Sequence, residues 1–221
     1  MKSFTILFED DYIILANKPA GLMVEPDRNG YPNLLQQVKN HVQATLPAGM
    51  ELYAQHIHRL DRPVSGVILF AKRKVVLKNL SEQFAERKVR KYYNALTETP
   101  PEIMEGSLEH WHRKEKKKAV LYNEEVLYSE KVRLTYEVLK QENGLFLWNI
   151  ELHTGKYHQI RAQLSQLGCP IIGDSLYGST LPYQENAIAL NACKLIFAHP
   201  ITNQEIVVTS HKFFDLEGYN L

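Results

Sequence analysis

The chain's first candidate for chemistry is an acid placed between two arginines, in His58-Arg59-Leu60-Asp61-Arg62-Pro63-Val64-Ser65-Gly66. A carboxylate held ionised can attack carbon as a nucleophile or remove a proton as a general base. Directly after it runs Val67-Ile68-Leu69-Phe70-Ala71, short and apolar enough for a buried strand. Asp61 would therefore sit on a tight loop at the lip of a core. The plainer reading is a type I turn with Pro63 at its second position and surface charges around it. A rival chemistry starts from the same place. His56, His58 and Asp61 form H-x-H-x-x-D, ligand types at close spacing, and His110-x-His112 could add more, as in a metal-dependent hydrolase.

A second feature is an arginine on an apolar helix. Tyr157, Ile160, Leu164 and Leu167 repeat at helical spacing, and Gly168 with Pro170 ends the run. Arg161 falls beside that stripe. A guanidinium on a buried flank keeps its charge and requires an acid or phosphate, for which Asp61 is the candidate; otherwise it snorkels to water. The third feature is His110 to Lys118, where Arg113, Lys114, Lys116, Lys117 and Lys118 surround Trp111 and two imidazoles. Rings for bases and ammonium groups for phosphates suit flexible RNA, although a mobile surface loop has the same composition. Net charge is only +1. From Lys72 to Lys118, however, thirteen Lys and Arg face seven Glu and no Asp, a bias that suits a polyanion or a solvated helix face.

The elements that must position these groups read as follows. Phe4 to Ala16 gives two strands around Glu9-Asp10-Asp11, and Asn17 to Leu22 is a loop. Leu34 to Leu46 is a helix capped by Asn33, and Val76 to Phe84 a second one, with Arg87, Lys88, Arg90 and Lys91 suited to its negative end. Lys91 to Leu96 is β-prone, and Glu98 to Glu109, with its two prolines and several acids, a loop. Leu134 to Val138 and Leu145 to Leu152 are strands around an Asn143-Gly144 turn. Ala187 to Cys193, Lys194 to His199 and Glu205 to Thr209 are strand-like.

With 221 residues, 44% of them hydrophobic, one domain over residues 1–221 is expected. Neither a signal peptide nor a membrane span is expected from the sequence. Cys169 and Cys193 lack metal or redox spacing, which makes a reducing cytoplasm the default. No G-x-G-x-x-G or P-loop suggests a nucleotide cofactor.

The His58–Gly66 segment closely resembles the His-Arg-Leu-Asp-x-x-Thr-Ser-Gly motif of the RluA-type RNA pseudouridine synthases. The resemblance continues in order through Asn17-Lys18-Pro19-Ala20-Gly21-Leu22, Lys91-Tyr92-Tyr93-Asn94-Ala95, Thr154 to Arg161, Gly168 to Gly178 and His199-Pro200. It implies an α+β fold, a mostly antiparallel bent central sheet with flanking helices and a central active-site cleft. It implies Asp61 as the catalytic carboxylate, Arg161 as its ion-pair partner and Tyr93 as the ring that stacks on the target base and takes its proton. Arg59 would fill the place of the flipped nucleotide. The implied substrate is tRNA or rRNA, with no cofactor and no metal, and a monomer is expected. Only Met1 to Ser3 precede the first strand, so no S4 domain is expected in front. Val64 in place of Thr, Lys156 in place of Arg and Asn191 in place of His depart from the pattern; an inactive RNA-binding relative is the reading they leave open.

Overall fold

The computed structural model describes residues 3–27, 30–47, 49, 51–210 and 214. The chain divides into two compact units, one built from the segment up to Val89 and from Ala192, the other from Arg90–Asn191.

In the first unit β1 (Thr5–Glu9), β2 (Ile13–Lys18) and β4 (Ser65–Ala71) pair antiparallel in that order, and the two-residue β3 (Gln55–His56) pairs with the end of β4. β10 (Leu190–Ala198) lies beside β4 and pairs antiparallel with β11 (Glu205–Thr209). Every residue of β4 is buried, as its unbroken apolar run predicts for a strand covered on both faces. On one face Ile13, Leu15, Val67, Leu69, Leu195 and Phe197 form a core with Val76 and Leu80 of α2 (Lys74–Ala85). α1 (Leu34–Thr45) buries Leu34, Val38 and Val42, and the Asn33 side chain accepts the Gln36 N–H at 2.9 Å, the cap read from the sequence.

The second unit is a meander in which β5 (Arg90–Thr97), β9 (Leu145–Leu152), β8 (Glu130–Glu142), β6 (Glu105–Glu115) and β7 (Lys118–Tyr122) succeed one another, each pair antiparallel. Asn143 and Gly144 both take positive φ, as a two-residue hairpin turn requires. Trp148 is fully buried and donates its indole N–H to Thr97 Oγ1 at 2.8 Å. α3 (Gln159–Gln166) completes the unit. Mixed α+β with antiparallel sheet is therefore the class observed.

Three expectations need correction. Residues 105–109, expected as loop, belong to β6, and His110 to Lys118 is a hairpin rather than a mobile loop. Only His112 of β6 is fully buried, so the strand is held by ladders to β7 and β8 on both sides and carries little apolar signal. The two strands expected at 187–199 are one strand, β10.

Gly66 shows why this fold needs its Ser65-Gly66 pair. Its φ is +125°, and a Cβ there would sit 2.3 Å from the Ala192 carbonyl oxygen and 2.6 Å from its nitrogen. Neither is the end of a side chain that could move aside. We expect Gly66→Ala to cost about 3 kcal/mol or more, from strained backbone plus steric overlap. Urea unfolding followed by circular dichroism checks this, and a midpoint equal to that of the unaltered chain would contradict it.

Candidate active site

The Asp61 loop is built against the first loop of the chain. Lys18 is completely buried, and its ammonium donates to the carbonyls of Pro19 at 3.1 Å, Leu22 at 2.8 Å and Arg62 at 3.2 Å. A buried ammonium is costly unless its protons are met, so these bonds fix both loops at once. Gly21 N–H donates to the Arg62 carbonyl at 2.7 Å, and Arg62 Nε returns a bond to the Gly21 carbonyl at 3.2 Å. Asp61 is half-buried and opens a turn closed by Val64 N–H on the Asp61 carbonyl at 3.0 Å. Pro63 is thus the third residue of that turn, one place later than expected. Val64 is buried, so its methyls sit where solvent does not reach.

The two histidines upstream have structural work. His58 Nε2 accepts the Leu69 N–H at 3.2 Å, and its ring stacks on Phe84. His56 Nε2 meets Glu25 at 3.0 Å, and the other Glu25 oxygen accepts from Arg59 at 2.9 Å. Burial pushes the His56 imidazole below its usual range, with Glu25 pulling the other way. Arg59 remains exposed. In the second unit His112 Nε2 lies 2.8 Å from the Tyr157 carbonyl, and His110 Nδ1 is 3.1 Å from Gln163 Nε2. Burial holds the His110 ring below its ordinary pKa. Among the described residues, no three His, Cys, Asp or Glu side chains gather as a metal site would need. The hydrolase expectation is not supported, because these side chains do not converge and each ring spends a nitrogen on a local partner. The thiols of Cys169 and Cys193 are pushed up to about 11 by burial, which leaves them un-ionised at neutral pH.

Arg161 is 5% exposed and does not snorkel. Its Nε donates to Asp174 Oδ2 at 2.6 Å and one terminal nitrogen to Oδ1 at 2.8 Å, a bidentate pair with an acid that is itself 1% exposed. The Tyr177 ring packs under the guanidinium, 5.0 Å from its centre. The sequence predicts an acid beside Arg161 and names Asp61; Asp174, a member of the Gly168–Gly178 block, is an acid that the structure brings to it. Gly173 explains that block. With φ +85°, a side chain there would meet Tyr183 Cβ at 2.6 Å, so a glycine lets the chain turn tightly and deliver Asp174. α3 ends in a Schellman motif, Cys169 N–H to the Leu164 carbonyl at 2.9 Å and Gly168 N–H to that of Ser165 at 3.0 Å. Tyr93 is buried in β5, opposite Ile150. Of the departures, Lys156 pairs with Glu130, and Asn191 is fully buried in β10.

On the hairpin, Lys114, Lys116, Lys117 and Lys118 are exposed, and Trp111 is half-buried. Lys114 Nζ lies 4.5 Å over the Tyr157 ring. Arg113 is spent inside the unit. Nε donates to Glu115 at 2.9 Å and Nη2 to the same oxygen and to the Tyr122 hydroxyl, while Nη1 donates to the Leu127 carbonyl at 3.1 Å.

Removing Asp174 leaves a buried guanidinium without this partner. Asp174→Ala is expected to cost about 3–5 kcal/mol, and the double change Arg161→Met with Asp174→Leu to restore most of it. Chemical denaturation of the three proteins checks this; a loss under about 1 kcal/mol for Asp174→Ala would contradict it.

Residues 12–166 match the family model described as RNA pseudouridylate synthase. The chain is 32% identical over 206 residues to YhcT of Bacillus subtilis strain 168, an uncharacterized RNA pseudouridine synthase, covering 91% of this chain and 66% of that one. It is 32% identical to tRNA pseudouridine synthase C of Pasteurella multocida, with 92% and 89% covered. With ribosomal large subunit pseudouridine synthase D of Nitrosomonas europaea it shares 32%, over 90% of this chain but 59% of the relative. The chain thus spans under two thirds of some relatives' length. The fold matches that of human RNA Pseudouridylate Synthase Domain Containing 4, with a TM-score of 0.76, 24% identity and coverage of 93% and 87%. Asp61 and Tyr93 fall inside the matched segment, as does Arg161, and on this agreement of motif order, family model and relatives the chain belongs to the RluA-type RNA pseudouridylate synthase family.

Proposed function

We propose that the protein converts a uridine of tRNA or rRNA to pseudouridine, with Asp61 as the catalytic carboxylate. The observation that supports this most is that Asp61 stands at its motif position on a loop fastened by a fully buried lysine. The reaction breaks the bond from ribose C1′ to uracil N1, turns the base and forms a bond from C1′ to C5. C5 loses a proton and N1 gains one. Electrons balance without any redox partner, so no cofactor is required. Asp61 attacks the nucleoside or removes a sugar proton. Arg161, held in orientation by Asp174, is the cation assigned to that carboxylate, and a fixed donor of this kind stabilises charge at no reorganisation cost when the reaction occurs. Tyr93 stacks on the target base and takes the C5 proton.

A stacked base is out of reach, so the nucleotide must flip, and Arg59 fills the vacated place. The geometry suits that role, since Arg59 is exposed and its partner Glu25 is a surface carboxylate, a pair worth about 1 kcal/mol at most. Trp111 and Lys114, Lys116, Lys117 and Lys118 contact the RNA. The protein works as a monomer in the cytoplasm; among the described residues no helix is long and apolar enough to cross a membrane.

Tritium release from RNA labelled at uridine C5 tests the proposal. The unaltered protein should release tritium from tRNA or rRNA, and Asp61→Ala should lose at least about a thousandfold in rate, the scale of removing a nucleophile. Release by Asp61→Ala at the normal rate would overturn the assignment, and binding without release by the unaltered protein would identify an inactive relative.

A further inference from the structure

The face of α3 opposite Arg161 carries Gln159 and Gln163, one turn apart and 2% and 0% exposed. Buried amides must find a partner for each polar group, and here backbone groups decide which way each amide points. Gln159 Oε1 accepts the Lys156 N–H at 3.1 Å and the Thr154 hydroxyl at 2.8 Å. Its Nε2 donates to the Arg133 carbonyl at 3.2 Å and to Gln163 Oε1 at 3.0 Å. Turned over, this amide would set oxygen against carbonyl oxygen and nitrogen against N–H. Gln163 Nε2 then has two protons to place. One goes to the Leu108 carbonyl at 3.0 Å, and the other meets His110 Nδ1 at 3.1 Å. That nitrogen must offer a lone pair, which puts the ring's single proton on Nε2 and requires a neutral imidazole.

We propose that His110 is a positioning residue for Arg161 and works only as the neutral imidazole. Through Gln163 and Gln159 its lone pair fixes the roll of α3, and with it the direction in which Arg161 leaves the opposite face. The inference rests on the role proposed for Arg161. A helix of eight residues has little order of its own, so what grips its two faces sets its orientation. Arg161 and Asp174 grip one face, and the chain from Thr154 to His110 grips the other. Protonation of His110 would turn Nδ1 into a donor facing the donor of Gln163, and the chain would break at that point.

The charge so formed would meet no acid. Val132 stands opposite His110 on β8, and on its own strand His112 is bonded to the Tyr157 carbonyl. Glu109 pairs with Lys131 and Arg133 on the other face of the sheet, and Glu130 of β8 pairs with Lys156. Arg113 and Glu115 pair with each other, Lys114 lies over the Tyr157 ring, and Lys118 of β7 lies over that of Tyr177. Burial pushes the His110 imidazole below its ordinary range. The neutral ring is therefore complete above about pH 6.5, and it is lost as pH falls through the lower folded-state value.

Proton–nitrogen correlation spectra of the nitrogen-labelled protein read the tautomer, the His110 signal being the one absent from His110→Asn. Single-turnover pseudouridine formation in tRNA or rRNA at saturating protein, between about pH 5 and pH 8, reads the consequence. The ring should be the Nε2–H tautomer at neutral pH and titrate below about 6.5, and the rate should fall with that same midpoint. His110→Asn keeps an acceptor near the place of Nδ1 without a titrating ring. It should stay within about twofold of the unaltered rate near neutral pH and lose the acid limb. His110→Leu removes the acceptor and should slow the reaction about tenfold, short of the roughly hundredfold of a 1 Å misplacement, with RNA affinity held within about twofold. A proton on Nδ1 at neutral pH would overturn the proposal, as would a normal rate in His110→Leu or an acid limb left in place by His110→Asn. Those results fail this inference alone, provided the unaltered protein forms pseudouridine. No pseudouridine from the unaltered protein at any pH would instead remove the synthase reading, and this inference with it.

Discussion

A guanidinium cannot shed its charge in a protein, and in this molecule that fact organises a whole unit. Arg161 stands on a helix buried from Gln159 through Leu164, so its charge has to be met inside. Asp174 meets it with two hydrogen bonds, the Tyr177 ring covers one face, and Gly173 makes the approach sterically possible. Such a pair adds little net stability over an apolar replacement of the same size. What it confers is direction. The planar fork can donate to a carboxylate in few orientations, and Asp174 selects one.

The same economy recurs around the proposed catalytic acid. Lys18 is a cation at zero exposure, and its protons go to backbone carbonyls on two separate loops. Each lost contact would leave a desolvated ammonium proton unmet, which ties the two loops to each other. Gly66 adds a steric clause. Immediately downstream of the Asp61 turn, two backbones approach closely enough that no side chain fits between them. The loop bearing Asp61 is thereby held at its base by polar bonds and at its exit by packing, the arrangement a site on a loop needs for accuracy.

How much of this was legible in the residues depends on what kind of force did the holding. Elements stabilised by apolar burial were readable: β4 from its unbroken run, α1 from its stripe and Asn33, and the β8–β9 turn from Asn143-Gly144. β6 was not, because only one of its residues is buried and its order comes from backbone ladders that any sequence can form. The need for an acid beside Arg161 followed from burial alone, but Asp174 did not. Asp174 is thirteen residues away, beyond the end of the helix, and periodicity carries no information across a turn. Lys18 was equally silent, since nothing in a lysine's type announces that it will be buried. The bonds of Arg113 were silent too: its place among lysines suggested a ligand for phosphate, and its contacts with Glu115, Tyr122 and the Leu127 carbonyl leave no trace in composition.

The central claim is that Asp174 serves the reaction only by aiming Arg161. Asp174→Asn keeps the shape and a hydrogen-bond acceptor but removes the charge. The most direct test is the single-turnover rate of pseudouridine formation by this variant, measured at a temperature where it remains folded and alongside its affinity for the same RNA. The account predicts a rate lowered at least about tenfold, the scale of one weakened electrostatic contact, with affinity changed by less than about twofold. A normal rate, or a loss confined to RNA affinity, would contradict it.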